Sequence, residues 1–178
     1  MNIGTIKRSF PRVTVLRGYN PNEPQTLTRS LPVAAGVTVL SGQFISPKWN
    51  ATISDFEWVL GLDAGTTEGF IALKDSVDTD VVSAGTLPAL SCAGQFEIQT
   101  PFYKTGDTFN SGVYLTADGV TGNLKATTLV SHDNIYGIVT RIHGLTDISG
   151  ENSSAAVDGD GKILVLTFTT HFQPNRNS

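Results

Sequence analysis

Ser131, His132 and Asp133 supply, in consecutive positions, the three residue types of a hydrolytic triad: a nucleophile, a base to take its proton and an acid to orient the base. Neighbours along an extended chain point in different directions, so this adjacency argues against a working triad. No serine sits in the G-x-S-x-G elbow that would present a nucleophile. Metal binding would have to gather His132, His143 and His171 from three separate segments, and no H-x-H or H-x-x-x-H spacing places two of them on one element. Asp75, Asp78 and Asp80 offer hard oxygen ligands of the kind calcium takes, but lack the central glycine and distal glutamate of a helix-loop-helix site. They read as a solvated turn. Asp158-Gly-Asp-Gly ahead of a β-prone run reads first as a hairpin. Neither a phosphate-cradling loop nor a dinucleotide fingerprint is present. The expectation is a non-enzymatic protein with no catalytic residues, no metal ligands and no cofactor.

Residues suited to binding without chemistry are easier to find. Charge is uneven: through Arg29 the chain carries Lys7, Arg8, Arg12, Arg17 and Arg29 against Glu23 alone, a net of +4. From Ser30 onward seven Lys and Arg face fifteen Asp and Glu, a net of −8. A basic leader on an acidic body suits docking onto an acidic partner or a neighbouring copy. With the body acidic, direct nucleic-acid binding is not expected. Phe10 adds an apolar anchor to the leader. Trp49, beside Pro47 and Lys48 in an expected loop, is the aromatic expected at the surface, where it suits a subunit contact as well as a sugar ring. The expected interface is therefore Lys7, Arg8, Phe10, Arg12, Arg17 and Trp49.

The elements that must position these residues are strands. At 178 residues the chain is long enough for one domain with a proper core. Charged residues make up only 16%, against roughly 25% in typical soluble chains, and Thr, Ser, Asn and Gly carry the polarity instead. The single cysteine, Cys92, cannot staple the fold. No secretory leader and no apolar run of membrane-spanning length is read, so synthesis in a cytoplasm and no membrane partner are expected.

Residues 1–30 are expected to form an extended arm, since Gly18-Tyr-Asn-Pro-Asn-Glu-Pro interrupts any regular element. Residues 31–173 are expected to form one β domain, and 174–178 a polar tail. Within the domain, Thr52–Leu60 alternates, with Phe56, Trp58 and Leu60 on an inward face. The stretch Gly85–Val139 breaks into the short runs Gln95–Thr100, Gly112–Thr116 and Asn123–Val130, with a further run at Ile135–Ile142, separated by turn residues. This describes an antiparallel meander. Gly161–Phe172 is apolar on both faces and belongs in the middle of a sheet or under a subunit contact. The fold class is all-β: an antiparallel β-sandwich or irregular β-barrel of about eight to ten strands with an extended N-terminal arm.

The order of segments Asp80–Leu90, Gly94–Thr100 (GQFEIQT), Gly112–Thr116 (GVYLT), Gly122–Lys125 (GNLK) and Ile135–Val139 (IYGIV) resembles the head decoration, or capsid cement, proteins of tailed bacteriophages. The resemblance spans roughly Ser41 to Phe172. It implies a virion protein of the outer capsid surface, made in the bacterial host cytoplasm, that bridges subunits of the major capsid protein. It also implies self-association, as a homotrimer ahead of a homodimer. The alternative reading is a carbohydrate- or receptor-binding β-sandwich module of a virion.

Overall fold

The last apolar run does lie mid-sheet, and its neighbours organise one half of the molecule. The computed structural model describes residues 14–18, 28–64, 66–94, 96–104, 106–128, 133–145 and 163–173. Its strands are β1 (Thr14–Gly18), β2 (Thr28–Leu31), β3 (Phe44–Asn50), β4 (Asp55–Leu60), β5 (Phe70–Ala72), β6 (Leu87–Ser91), β7 (Phe96–Thr100), β8 (Tyr114–Ala117), β9 (Leu124–Thr127), β10 (Ile135–Leu145) and β11 (Ile163–Gln173). One short helix, α1 (Thr79–Ala84), precedes β6. The strands form a six-stranded sheet ordered β1-β7-β11-β10-β8-β9 and a five-stranded sheet ordered β2-β6-β5-β3-β4. Every strand pair is antiparallel.

The five-stranded sheet curls back on itself. Beyond Leu31 the chain runs alongside β4: Trp58 N–H donates to Pro32 O at 2.7 Å and Ala34 N–H to Trp58 O at 3.0 Å. This parallel bridge, Val33 to Trp58, brings the continuation of one edge strand against the other. Closure removes the exposed edge that an open sheet would leave at β4. Alternation along the strands then serves two cores at once. Ile45, Phe70, Ala72, Leu87, Ala89 and Trp58 fill the inside of the curl. Phe44, Ile71 and Leu90, one position away on the same strands, face the six-stranded sheet and meet Phe96, Ile98, Leu115, Leu166 and Phe168. Strands buried on both faces lose polar alternation, which is why FIAL and LPAL read as continuous apolar runs.

The two sheets are hooked together by backbone. Phe44 N–H donates to Gly122 O, in the β8–β9 turn of the larger sheet, at 2.7 Å, while Gly61 N–H continues the β3–β4 ladder by donating to Phe44 O at 3.0 Å. Gly61 sits at φ +72° against the 118–119 turn, where a Cβ would lie 2.5 Å from Asp118 O. Only glycine fits both that dihedral and that gap.

Several sequence expectations need correction. The stretch 85–139 is no simple meander: β6 belongs to the five-stranded sheet, and β10 returns to the far side of β8 from β9. The turn expected at Asp75–Asp80 leads into α1, which buries Val81 and ends on Gly85 in the left-handed conformation. Pro47, Lys48 and Trp49 are in β3, not a loop. Strand β4 begins at Asp55, and 51–54 form the turn before it. Part of the expected arm, Thr14–Gly18, pairs with β7 as the edge strand of the larger sheet.

Candidate functional site

The file of side chains that fills the curled sheet does not stop at the surface. On β3 and β4 the directly opposed pairs Pro47/Trp58 and Trp49/Phe56 follow one another on the inner face. Trp58 is fully buried, whereas Trp49 is 54% exposed. Trp49 rests edge-on against Phe56, with ring centroids 5.3 Å apart and planes at 74°. From β2, Arg29 opposes Ala89 and so shares the inner face with Leu31. Its guanidinium carbon lies 5.2 Å from the centre of the Phe56 ring. The mouth of the curl is therefore an aromatic pair with a cation stacked on one member.

Arg29 also reaches across to Glu68, with Nη1 3.5 Å from Oε2. An ion pair this exposed contributes little stability, about 0.2–1 kcal/mol. Its effect is to hold the guanidinium in place over Phe56.

Glu68 is carried by the β4–β5 loop, which is pinned to both sheets. Asp63 N–H donates to Ser46 Oγ at 2.8 Å and Glu68 N–H to Thr66 Oγ1 at 3.0 Å. The Tyr136 hydroxyl, from the opposite sheet, donates to Thr67 O at 3.1 Å. Cys92 N–H closes the loop on Gly69 O at 2.9 Å. Burial pushes the Tyr136 hydroxyl up to about 12, so it keeps its proton and its donor role. Burial likewise pushes the Cys92 thiol well up, which makes it an inert core residue.

Between loop and mouth lie two adjoining depressions of about 560 and 600 Å³ that share Arg29, Thr67 and Glu68. The second takes in Trp49, Phe56, Lys48 and Asp63. Exposed aromatic surface flanked by both signs of charge and by threonine hydroxyls can hold a ligand with an apolar face and many hydroxyl groups.

Of the interface residues expected from the sequence, Arg17 and Trp49 are among the described residues. Lys7, Arg8, Phe10 and Arg12 lie outside the described residues. Arg17 is on β1, in register with Glu97. Thr14, where the leader joins the sheet, is in register with Gln99 on β7. The next residue on β7, Thr100, bonds through its hydroxyl to Gly42 O at 2.8 Å, just ahead of β3. β3 begins two residues later, and Trp49 lies five residues along it, about 17 Å. Thr14, the first described residue, is thus linked through β7 to the start of β3, and Trp49 lies near its end.

Of the chemical candidates, Ser131, His132, Asp158 and Asp160 lie outside the described residues. Asp133 accepts from the Thr127 hydroxyl at 3.0 Å. Asp75 accepts from Ser41 N–H at 2.7 Å, Asp78 accepts from Asp75 N–H at 3.2 Å, and Asp80 pairs with Lys74. These carboxylates brace the entry to α1. No group of three or more His, Cys, Asp or Glu placed to hold a metal occurs among the described residues. Among the same residues, no helix is long and apolar enough to cross a membrane. The convergence of Arg29, Phe56 and Glu68 on Trp49 had no signal in the sequence, because it arises from sheet closure between distant segments.

No known family model matches this chain, and no curated protein matches it.

Proposed function

We propose that this chain is a non-enzymatic structural protein of a phage head, binding the outer surface of the shell and bridging major capsid subunits. The observation that carries the reading is the order of its five motif segments. Those segments become α1 with β6, then β7, β8, β9 and β10, so the likeness lies in the framework strands of both sheets and not in any one loop. The basic leader supplies a second support. Lys7, Arg8, Phe10 and Arg12 precede β1, and whatever they reach is tethered to the edge of the larger sheet. Basic groups there meet an acidic capsid or subunit surface, with Phe10 as the apolar anchor.

Bridging needs on the order of 1,000 Å² of buried surface per stable contact. A homotrimer then converts several modest contacts into avidity. The test is to add purified protein to heads lacking it. Saturable binding to expanded but not unexpanded heads, with a rise in thermal or osmotic resistance, supports the reading. Heads that are equally robust without the protein refute it. Because β1 belongs to the sheet, the truncation that probes the leader is removal of residues 1–12. Head binding that survives this deletion unchanged removes the leader from the interface.

A further inference from the structure

We infer that the mouth of the curled sheet is a binding site for a neutral oligosaccharide, with Trp49 as the stacking platform and Arg29, Lys48, Asp63 and Glu68 as hydroxyl partners. The inference does not rest on shell binding, and concerns the end of β3 remote from Gly42.

The lining selects the ligand class. Two cations and two carboxylates border the same depression. A charged ligand would meet its own sign on one side, and an apolar ligand would strip water from four charges without replacing it. A polyhydroxylated neutral ligand satisfies both kinds, since each hydroxyl donates to a carboxylate and accepts from Arg or Lys. The C–H face of a pyranose ring then covers the exposed indole. The depression, about 600 Å³, is open to solvent, so a ligand seated there keeps part of its hydroxyl groups in water.

A peptide is the competing occupant, and the backbone argues against it. Extended peptides gain affinity by adding to a free sheet edge. Here β4 pairs with β3 on one side and bonds to residues 32–34 on the other through Trp58. Next to Trp49, β3 has β4 as its ladder partner. The opposite edge of β3 past Ile45 pairs with no described strand, but Pro47 brings no N–H to it, so a peptide ladder along that edge would be interrupted. The platform is also preorganised: Phe56 backs Trp49, Arg29 backs Phe56, and the Glu68 loop is tied to Tyr136 across the sheets.

The experiment uses the full chain, screened on an array of neutral and acidic bacterial and plant oligosaccharides. Hits are titrated by tryptophan fluorescence, in which exposed Trp49 responds and buried Trp58 does not. Saturable binding to at least one neutral oligosaccharide is expected. Affinity should fall at least tenfold in Trp49→Ala and several-fold in Glu68→Gln, with thermal melting of the latter close to that of the parent. Glu68→Gln keeps the test decisive should Trp49→Ala fold poorly. The proposal is overturned if no neutral oligosaccharide binds, if only anionic glycans bind, or if neither substitution alters binding. Loss of head binding in Trp49→Ala with no glycan bound by the parent would assign this surface to protein instead.

Discussion

The indole Nε1–H of Trp58 donates to Leu87 O at 2.8 Å, so the largest fully buried side chain ties β4 to β6 across the inside of the curled sheet. Trp58→Phe keeps an aromatic ring but removes the donor and part of the volume. A loss of about 2–3 kcal/mol is expected, read as a lower urea midpoint at unchanged slope. Trp49→Ala, in the same file but exposed, should cost less than about 1 kcal/mol. Equal losses at the two positions would contradict the distinction between core and mouth.

Gly61 and Gly36 share a positive φ, +72° and +76°, but differ in surroundings: Gly61 abuts the 118–119 backbone, and a Cβ at Gly36 meets nothing within 4 Å. Gly36→Ala should therefore cost about 1 kcal/mol from the dihedral alone. Gly61→Ala should cost more than about 3 kcal/mol, because the two sheets must separate to admit it. Matched thermal melts of the two variants decide the point, and similar losses would mean that the hook at Gly61 is not a tight contact.

Burial raises the hydroxyls of Tyr103 and Tyr136 from about 10 to about 12. The unfolded chain releases these protons first as pH rises, so the folded state then holds more protons and stability falls with pH. The stabilisation is complete below pH 10 and is lost between about pH 10 and 12. The raised Cys92 thiol acts in the same sense from its ordinary value upward. Tyr136→Phe should flatten the decline in melting temperature between pH 9.5 and 11.5 (about one titrating group fewer). An unchanged slope would show that Tyr136 titrates normally.

At the other end of the scale, Asp118 accepts from Val120 N–H at 2.9 Å and Thr121 N–H at 3.3 Å, and the Val120 bond leads the causes that hold its carboxyl below the usual range. Its contribution is present above the unfolded value and fades as pH falls through the lowered one. Asp118→Ala should cost about 1 kcal/mol at pH 7 and less at low pH, as the turn loses its side-chain acceptor. A penalty that does not change with pH would exclude the ionised carboxylate as the acceptor that matters.

The leader and β1 separate by truncation. Removing residues 1–12 should leave the melting temperature within a degree or two, whereas removing residues 1–18 strips the edge strand from β7 and should cost several kcal/mol. Equal melting temperatures for the two truncations would mean that β1 contributes nothing to the sheet.

The parts of the fold legible in the sequence are those where one strand face or both are apolar over a long run. β7, β10 and β11 were marked by alternation or β-branched density, and the central place of β11 followed from its two apolar faces. β3 was half hidden because Pro47 and Lys48 read as loop. The structure accommodates Pro47 because β5 pairs only with Phe44 and Ile45, which leaves the later part of β3 with β4 as its partner. Helix α1, six residues long, is too short for periodicity to register, although Gly85 was present as its terminator. Trp49 is exposed, as its sequence surroundings imply, but on a strand and not in a loop. The residues around it come from β2, β4 and the β4–β5 loop, and only the register of the closed sheet brings them together.

The position of β11 also has a consequence for synthesis. It separates β7 from β10 in the larger sheet, yet β7 ends at Thr100 and β11 begins at Ile163. A nascent polypeptide on the ribosome thus carries a β-prone segment whose inner flank waits for a partner not yet translated. Release of a prematurely stopped product before Ile163 leaves that flank open to self-association, so stalled chains should be found in inclusion bodies and not as a smaller native species.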